Sequence, residues 1–372
     1  MKIKLSIVVG LACCLAASCA CADQELRGAW LSAWVQGYYT AEQVDATIAS
    51  AKKAGINALF IQVRKNADAY YDSKLEPRGS DIAADFDPLA YAIAKGHAQG
   101  LQVHAWVNAF RVWTAKTPPT DLNHVVNLHP DWINKNREGE IRSSEGIYLD
   151  PGVPAAREHV AKVILDIATR YDVDGVQWDY IRYPARNWGY SDAALARYCA
   201  ETGAKDKPAV DDAKWLQWKR DQVTELVKIT SEQVRSIKPK LLLSASTIAW
   251  GACPSDFTGT EAYAGVCQDW KTWMEKCYID ANLPMCYKKE SSEKSAKSFR
   301  EWLVGLSKWS SGKPVYVGID VTQNDDAGLL AQIEAIRGSG LGGYVLFHFN
   351  QSQRRDLLAS ALECASKQCG VD

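Results

Sequence analysis

The chain has 372 residues, of which 47% are hydrophobic and 23% charged, a composition typical of a globular protein with a large core. Its formal net charge of -1 excludes the basic surface expected of a nucleic-acid-binding protein. It contains 14 tryptophans and 16 tyrosines. Aromatic rings in such numbers either fill a core or stack on sugar rings.

The first 22 residues have the pattern of a signal peptide. Lys2 and Lys4 precede a short apolar run over 7–15, and an A-x-A cleavage site follows at 20–22. The run is too short for a lasting membrane span, so we expect none in the mature protein. "LAASC", ending at Cys19, also resembles a bacterial lipobox. Export to the periplasm or the cell exterior is therefore expected, and simple cleavage and a lipid anchor through Cys19 both stay open.

Eight short apolar runs follow the leader, each separated from the next by a segment with helical periodicity. The predicted strands cover 28–34, 57–64, 101–108, 175–180, 241–247, 281–287, 315–320 and 343–349. The predicted helices cover 41–53, 87–99, 153–171, 211–237, 292–308, 325–337 and 351–366. Strands that are apolar on both faces are typical of a buried parallel sheet.

This alternation predicts one α/β domain over 26–366, a (β/α)8 TIM barrel. A doubly wound sheet is the alternative, but eight consecutive units favour closure. Three insertions, 109–150, 181–212 and 249–275, each follow a strand. They are therefore expected on the C-terminal face, where barrel active sites are built.

Cysteine spacing gives no sign of a metal site. Export permits disulfides, and the pairs Cys253–Cys267 and Cys364–Cys369 are close enough in sequence to form them. No paired C-x-x-C spacing is present and the histidines are scattered, so we expect neither a metal nor a cofactor.

Asp179 is the strongest catalytic candidate. It ends the fourth predicted strand, in "DGVQWDYIRYP", with Arg182 close by to influence its ionisation. Glycoside hydrolysis needs two carboxyl groups, and the second is predicted to be Asp68, with Asp320 as the other choice. Each of these aspartates could instead have a purely structural role. Asp179 could form an ion pair with Arg182, Asp68 could stabilise a turn, and Asp320 could cap a helix. The fifth strand ends without an acidic residue.

Other polar and aromatic residues at the strand ends are predicted to bind substrate or shape its subsites. They are Arg64, Tyr71, Asn108, Arg111, Trp178, Tyr180, Arg182, Tyr287 and His348, together with Asp320.

Several motifs occur in a fixed order: "RGAWLSAW", "QVRKNADAYYDSKLEP", "HPDWI", "YLDPGVPAAREHV" and "YDVDGVQWDYIRYP". With these motifs the chain resembles the bacterial glycosyl-hydrolase-like family ten over roughly 26–350. The resemblance implies a barrel that hydrolyses peptidoglycan strands lacking stem peptides. It also assigns Asp150 to the site, through "YLDPG", and it supports Arg64, Asp68, Tyr71, Asn108 and Arg111. Tyr180 departs from the pattern, because the family usually has a second aspartate there.

The sequence therefore predicts an exported glycoside hydrolase with paired carboxylates and a polysaccharide substrate from the bacterial cell envelope. The alternative is a non-catalytic glycan-binding barrel, which the missing acid on the fifth strand and Tyr180 both favour. A metal-dependent deacetylase would need a ligand set that the sequence does not offer.

Overall fold

The computed structural model describes residues 25–350 and Leu362. The predicted signal peptide, the possible anchor at Cys19, the Cys364–Cys369 pair and the last predicted helix lie outside these residues, apart from Leu362. Leu362 is helical and buried.

Eight parallel strands close into a barrel, which confirms the predicted fold. The barrel strands are β1 (Leu26–Leu31), β2 (Ala58–Arg64), β3 (Gln102–Asn108), β6 (Gly175–Asp179), β7 (Leu242–Ile248), β8 (Ala281–Met285), β9 (Tyr316–Asp320) and β10 (Gly343–Phe347). Each predicted strand matches one of them within a few residues. Around the barrel their order is β1, β2, β3, β6, β7, β8, β9, β10, and β10 pairs with β1 to close the ring.

Helices connect the strands, as the periodicity predicted. They are α1 (Ala41–Lys53), α2 (Pro88–Ala98), α3 (Val125–Leu128), α4 (Pro154–Arg170), α5 (Asp192–Thr202), α6 (Ala213–Ile237), α7 (Trp270–Glu275), α8 (Glu293–Trp309) and α9 (Asp326–Gly338). Thr40 caps α1 by accepting a hydrogen bond from the Gln43 backbone N–H. Such a cap satisfies a backbone donor that the helix itself leaves free. Among the described residues, no helix combines the length and apolar character needed to cross a membrane.

The three insertions follow β3, β6 and β7, so they lie at the C-terminal ends of barrel strands as predicted. The first contains a small antiparallel pair, β4 (Arg111–Trp113) and β5 (Ile147–Tyr148). The proposed Cys253–Cys267 disulfide is absent, since both residues carry free thiols. Cys267 is fully buried, and Cys253 instead packs near Gly305 of α8.

Aromatic rings fill the interior of the barrel. Trp30 of β1 lies between Phe60 and Trp106, with ring centroids 6.4 and 6.3 Å away. Gly318 on β9 makes room for this ring, because a Cβ there would lie 2.8 Å from it. Trp30 and Trp106 also belong to the walls of the cavity that opens above them.

Candidate active site at the mouth of the barrel

A cavity of about 360 Å³ opens at the C-terminal ends of the barrel strands. Its lining includes Asp179, Met285 and Phe347, the last residues of β6, β8 and β10. The other lining residues are Trp30, Ser32, Trp34, Gln62, Trp106, Arg111, Tyr180, Ser246 and Tyr287. The walls are thus largely aromatic, with a few polar groups directed at the space, as expected of a site for a sugar.

Asp179 is the carboxyl group in this lining. It is 4% exposed, and it accepts hydrogen bonds from the Trp106 indole (3.0 Å) and from the Tyr180 backbone N–H (2.6 Å). Burial raises the pKa of Asp179, and the charges of Arg111 and Arg182 oppose that rise only in part. A carboxyl group with a raised pKa in a cavity is suited to giving and taking a proton.

Tyr180 lies between two arginines. Its backbone has a positive φ of 47°, a conformation uncommon for a bulky residue. The Arg111 guanidinium stacks 3.6 Å from the centre of the Tyr180 ring and donates a hydrogen bond to its hydroxyl. Arg182 lies 4.9 Å from the same ring. Tyr180 therefore holds Arg111 at the cavity wall.

Arg182 is paired with an acidic residue that sequence reasoning missed. Its guanidinium donates to both carboxylate oxygens of Glu145, at 2.9 and 3.1 Å, and Glu145 also accepts from the Tyr148 hydroxyl at 2.6 Å. Burial alone would raise the pKa of Glu145, but the Arg182 charge and these hydrogen bonds lower it. Glu145 belongs to the first insertion, 37 residues from Arg182, so no local pattern pointed to it.

Four predicted substrate contacts lie beneath the cavity. Arg64, Tyr71, Asn108 and Asp150 are each 0% exposed, and none lines the cavity. Their predicted contact with a substrate does not agree with this burial.

Internal partners explain the burial of Arg64. Its guanidinium forms a two-pronged ion pair with Glu76 (2.7 and 2.6 Å) and donates to the backbone oxygens of Asn108 and Ala109. His159 adds a 2.9 Å hydrogen bond to Glu76. This network braces the ends of β2 and β3, which carry the wall of the site.

Asn108 and Asp150 are likewise used inside the protein. The Asn108 amide donates to the Lys65 carbonyl oxygen (2.8 Å) and accepts from Gln62 (3.1 Å). Asp150 accepts from the Gly152 backbone N–H at 2.8 Å, and burial raises its pKa.

Trp178 faces away from the cavity, contrary to its predicted role in a subsite. Side chains alternate along a strand, so Asp179 and Gln177 point into the barrel and Trp178 points toward the helices. Gln177 accepts from the Trp30 indole at 2.7 Å inside the barrel, whereas Trp178 is 0% exposed and packs in the outer core.

Asp68 and Asp320 lie in different places around the mouth. Asp68 accepts from the backbone N–H groups of Asn66 (2.7 Å) and Lys65 (3.3 Å), and burial raises its pKa. It does not line the cavity, so the structure does not bring it together with Asp179 there. Asp320 accepts from Thr322 and Gln323 in its own turn.

Tyr287 lies within the electrostatic range of both Asp179 and Asp320. Burial raises the pKa of Tyr287, and the charges of Asp179 and Asp320 raise it further. His348, two residues before Asn350, does not line the cavity. Burial lowers the pKa of His348, although Asn350 and Asp320 oppose that shift.

Several wall residues were missed by the sequence reasoning, chiefly Trp30, Trp34, Gln62, Trp106 and Ser246. The available signal was alternation: Trp30 on β1, Gln62 on β2 and Trp106 on β3 each lie an even number of residues from other inward-facing positions. Within residues 25–350, no cluster of three or more His, Cys, Asp or Glu side chains could hold a metal ion.

The chain is similar in sequence to a family of glycosyl hydrolase-like proteins. The model of the family described as Glycosyl hydrolase-like 10 matches residues 25–324. Glycosyl hydrolase YngK of Bacillus subtilis (strain 168) is 30% identical over 293 residues, which are 71% of this chain and 54% of YngK. Glycosyl hydrolase DigH of Escherichia coli (strain K12) is 29% identical over 253 residues, 63% of this chain and 55% of DigH. The chain thus spans about half the length of these curated relatives.

Solved structures share the fold at low sequence identity. The glycoside hydrolase domain of PgaB (BpsB) from Bordetella bronchiseptica superimposes with a TM-score of 0.62 at 13% identity, covering 91% of this chain and 98% of that chain. Gan42B, a GH42 beta-galactosidase from G. stearothermophilus, gives 0.66 at 12% identity, covering 94% of this chain and 57% of that one. Both are similar to this chain in their barrel architecture.

Proposed function

The chain belongs to the glycosyl hydrolase-like 10 family, and on this premise we propose that it is an exported glycoside hydrolase acting on a glycan of the bacterial cell envelope. The observation that carries the proposal is Asp179, a buried carboxyl group with a raised pKa in an aromatic cavity at the C-terminal face of the barrel. Barrel enzymes place their chemistry at this face.

Asp179 acts as the general acid in this proposal. Its raised pKa keeps a proton available for the oxygen of the leaving sugar. Hydrolysis also needs a second carboxylate, either as a nucleophile or to activate water. Asp320, the last residue of β9, and Asp68 are the two candidates; each is held by hydrogen bonds in its own turn, and neither is among the residues that line the cavity.

Peptidoglycan strands without stem peptides are the first substrate to test, since the resemblance to the family implies them. The aromatic walls of the cavity are consistent with a sugar ligand of this kind. Export is supported by the leader-like pattern of Lys2, Lys4, the apolar run 7–15 and the A-x-A site at 20–22. Simple cleavage and lipid attachment at Cys19 are both compatible with it.

An activity screen tests the proposal. Purified mature protein and its Asp179→Asn variant are incubated with peptide-free peptidoglycan and a panel of polysaccharides, and reducing ends are measured. Asp192→Asn is the matched control, because the Asp192 side chain is 89% exposed and lies outside the cavity. We expect product from the wild type and the control but not from Asp179→Asn. Equal product from all three would remove Asp179 from the mechanism.

The second candidate is a glycan-binding barrel without activity. One observation favours it: Asp179 is the sole carboxyl group among the residues that line the described cavity. Binding of glycan strands without any product, under conditions where the protein is folded, would support this candidate over the enzyme.

A further inference from the structure

Two tryptophans are exposed at opposite sides of the barrel mouth. Trp34 follows β1 and is 48% exposed, and Trp250 follows β7 and is 41% exposed. β1 and β7 are the first and fifth strands around the eight-stranded ring, so the two indoles lie across the mouth from each other. Exposed aromatic side chains beside a cavity commonly mark a binding surface.

A row of alternating rings and guanidinium groups joins the two tryptophans. Arg111 lies 5.7 Å from the Trp34 ring and 3.6 Å from the Tyr180 ring. Arg182 lies 4.9 Å from the Tyr180 ring and 5.1 Å from the Trp250 ring. Tyr180 is in the middle of the row and directly follows Asp179, so the proposed reaction centre lies between the two ends.

The backbone around Trp250 is held by three side-chain hydrogen bonds. Lys288 donates from its ammonium group to the carbonyl oxygens of Ala249 (3.1 Å) and Gly251 (2.7 Å). The Trp302 indole donates to the same Gly251 oxygen at 3.1 Å. An exposed ring on a fixed backbone loses little freedom when a ligand stacks on it, which favours binding.

The backbone around Trp34 is fixed in a similar way. The Asn350 amide donates to the carbonyl oxygens of Ser32 (2.9 Å) and Val35 (2.8 Å). Gln62 accepts from the Ala33 N–H at 2.9 Å. The backbone that carries each exposed indole is therefore held by hydrogen bonds from other parts of the barrel.

A second cavity of about 430 Å³ lies beside Trp250. Its lining includes the hydroxyl of Ser144 and the amide of Asn187, groups that can hydrogen-bond to sugar hydroxyls. Glu145 also lines this second cavity. It forms an ion pair with Arg182, which belongs to the row of rings and guanidinium groups between Trp34 and Trp250. A pyranose has an apolar face, which can stack on the Trp250 ring, and hydroxyl groups, which can hydrogen-bond to the amide and hydroxyl groups of the second cavity.

We infer that the mouth binds one continuous glycan chain of several sugar units, stacked on Trp34 at one end and on Trp250 beside the second cavity at the other, so that cleavage occurs within the chain. The position of cleavage rests on the proposed function, whereas the binding surface stands without it. The ligand class is a linear polysaccharide and not a single sugar, because Arg111, Tyr180 and Arg182 stand in a row between the two exposed rings.

Binding as a function of chain length tests this inference. Glycan strands freed of their peptides by an amidase are shortened by partial digestion with a muramidase and separated into fractions of one, two and four disaccharide repeats. Each fraction is titrated calorimetrically into the Asp179→Asn protein. Trp250→Ala is added to that background, together with Trp250→Phe, which keeps an aromatic ring. Leu122→Ala is the control, because Leu122 is 78% exposed and lines neither cavity.

We expect affinity to rise with chain length, and Trp250→Ala to weaken the longest fraction about tenfold while leaving the shortest unchanged. Trp250→Phe should recover most of the loss, and Leu122→Ala should change nothing. An identical length dependence with and without Trp250, or no binding of any fraction, would overturn the inference.

The products separate this inference from the proposed function. The wild type should first release fragments of mixed length, and release of single terminal units from the outset would overturn cleavage within the chain. If no strand is cleaved although Trp250 still governs the binding of long strands, the proposed hydrolase fails and the binding surface stands.

Discussion

The indole N–H of Trp106 donates a hydrogen bond to one carboxylate oxygen of Asp179 across 3.0 Å, at the point where β3 and β6 open into the cavity. The bond stabilises the charged form of Asp179 and thereby opposes the rise in its pKa that burial causes. An inward-facing residue of a neighbouring strand thus tunes the acidity of the proposed catalytic group.

Trp106→Phe is expected to raise the pKa of Asp179 further, because phenylalanine keeps the ring but removes the donor. The limb of the pH profile of kcat/KM that belongs to Asp179 should move to higher pH. The measurement is the rate on peptide-free glycan strands from acid to alkaline pH. Trp113→Phe, in the first insertion, is the control, and a profile that stays in place would contradict the role of this bond.

Asp179→Asn is expected to gain stability relative to the wild type as pH rises. Burial raises the folded-state pKa of Asp179 above its unfolded value, so the carboxyl stabilises the fold only while it is protonated. That contribution is complete below the unfolded pKa and is lost as pH rises through the folded pKa. Asparagine does not ionise, so the difference in Tm should grow in favour of the variant as pH rises toward neutral.

Thermal unfolding of the wild type and Asp179→Asn at several pH values tests this pH dependence of stability. Asp192→Asn, on an exposed side chain, controls for general effects of a lost charge. A difference in Tm that is constant with pH would show that Asp179 keeps an ordinary pKa in the folded state.

Asp320→Asn and Asp68→Asn together identify the second carboxylate. If Asp320 is the partner of Asp179, Asp320→Asn should lower kcat by about 100-fold or more without unfolding the protein. Asp68→Asn should leave kcat close to that of the wild type, because asparagine can still accept the hydrogen bond from the Asn66 N–H. The reverse pattern would restore Asp68 to the role that the sequence predicted for it.

Glu76→Gln is expected to destabilise the fold by about 3–5 kcal/mol, because it leaves the buried Arg64 charge without its partner. Burial alone would raise the pKa of Glu76, but the Arg64 charge and the hydrogen bonds from His159 and Arg64 lower it to about 2. A lowered folded-state pKa means that this stability is present above the unfolded pKa and is lost as pH falls toward 2.

Urea unfolding at neutral and acidic pH measures this contribution. Glu301→Gln is the control, because Glu301 also pairs with a basic residue, Lys297, but both side chains of that pair are exposed. Exposed pairs of that kind contribute about 1 kcal/mol or less. Equal losses in the two variants would show that the buried network does not brace the site.

The barrel could be predicted from sequence because its strands carry their own signal. Runs such as 57–64 and 101–108 are apolar on both faces, follow glycine-containing turns and alternate with helices whose caps, like Thr40, are visible in the sequence. Once the strands were assigned, the residues at their C-terminal ends could be placed at the mouth of the barrel. Four of the residues predicted there line the cavity: Asp179, Arg111, Tyr180 and Tyr287.

The rest of the site could not be predicted because it depends on contacts between distant segments. Arg64 looked like a free cation at a strand end, but Glu76 neutralises it inside the protein. Trp178 looked like a subsite ring, but the alternation that directs Asp179 inward turns it outward. Trp250 passed unnoticed, since a single exposed ring becomes informative only once Arg182 is seen beside it.

The ion pair between Glu145 and Arg182 joins two parts of the protein that differ in their place in the fold. Asp179 belongs to a strand of the closed barrel, whereas Glu145 lies in an insertion outside the barrel sheet. A substitution at Glu145 can therefore change the position of Arg182, and with it the surface next to Tyr180, without altering any barrel strand.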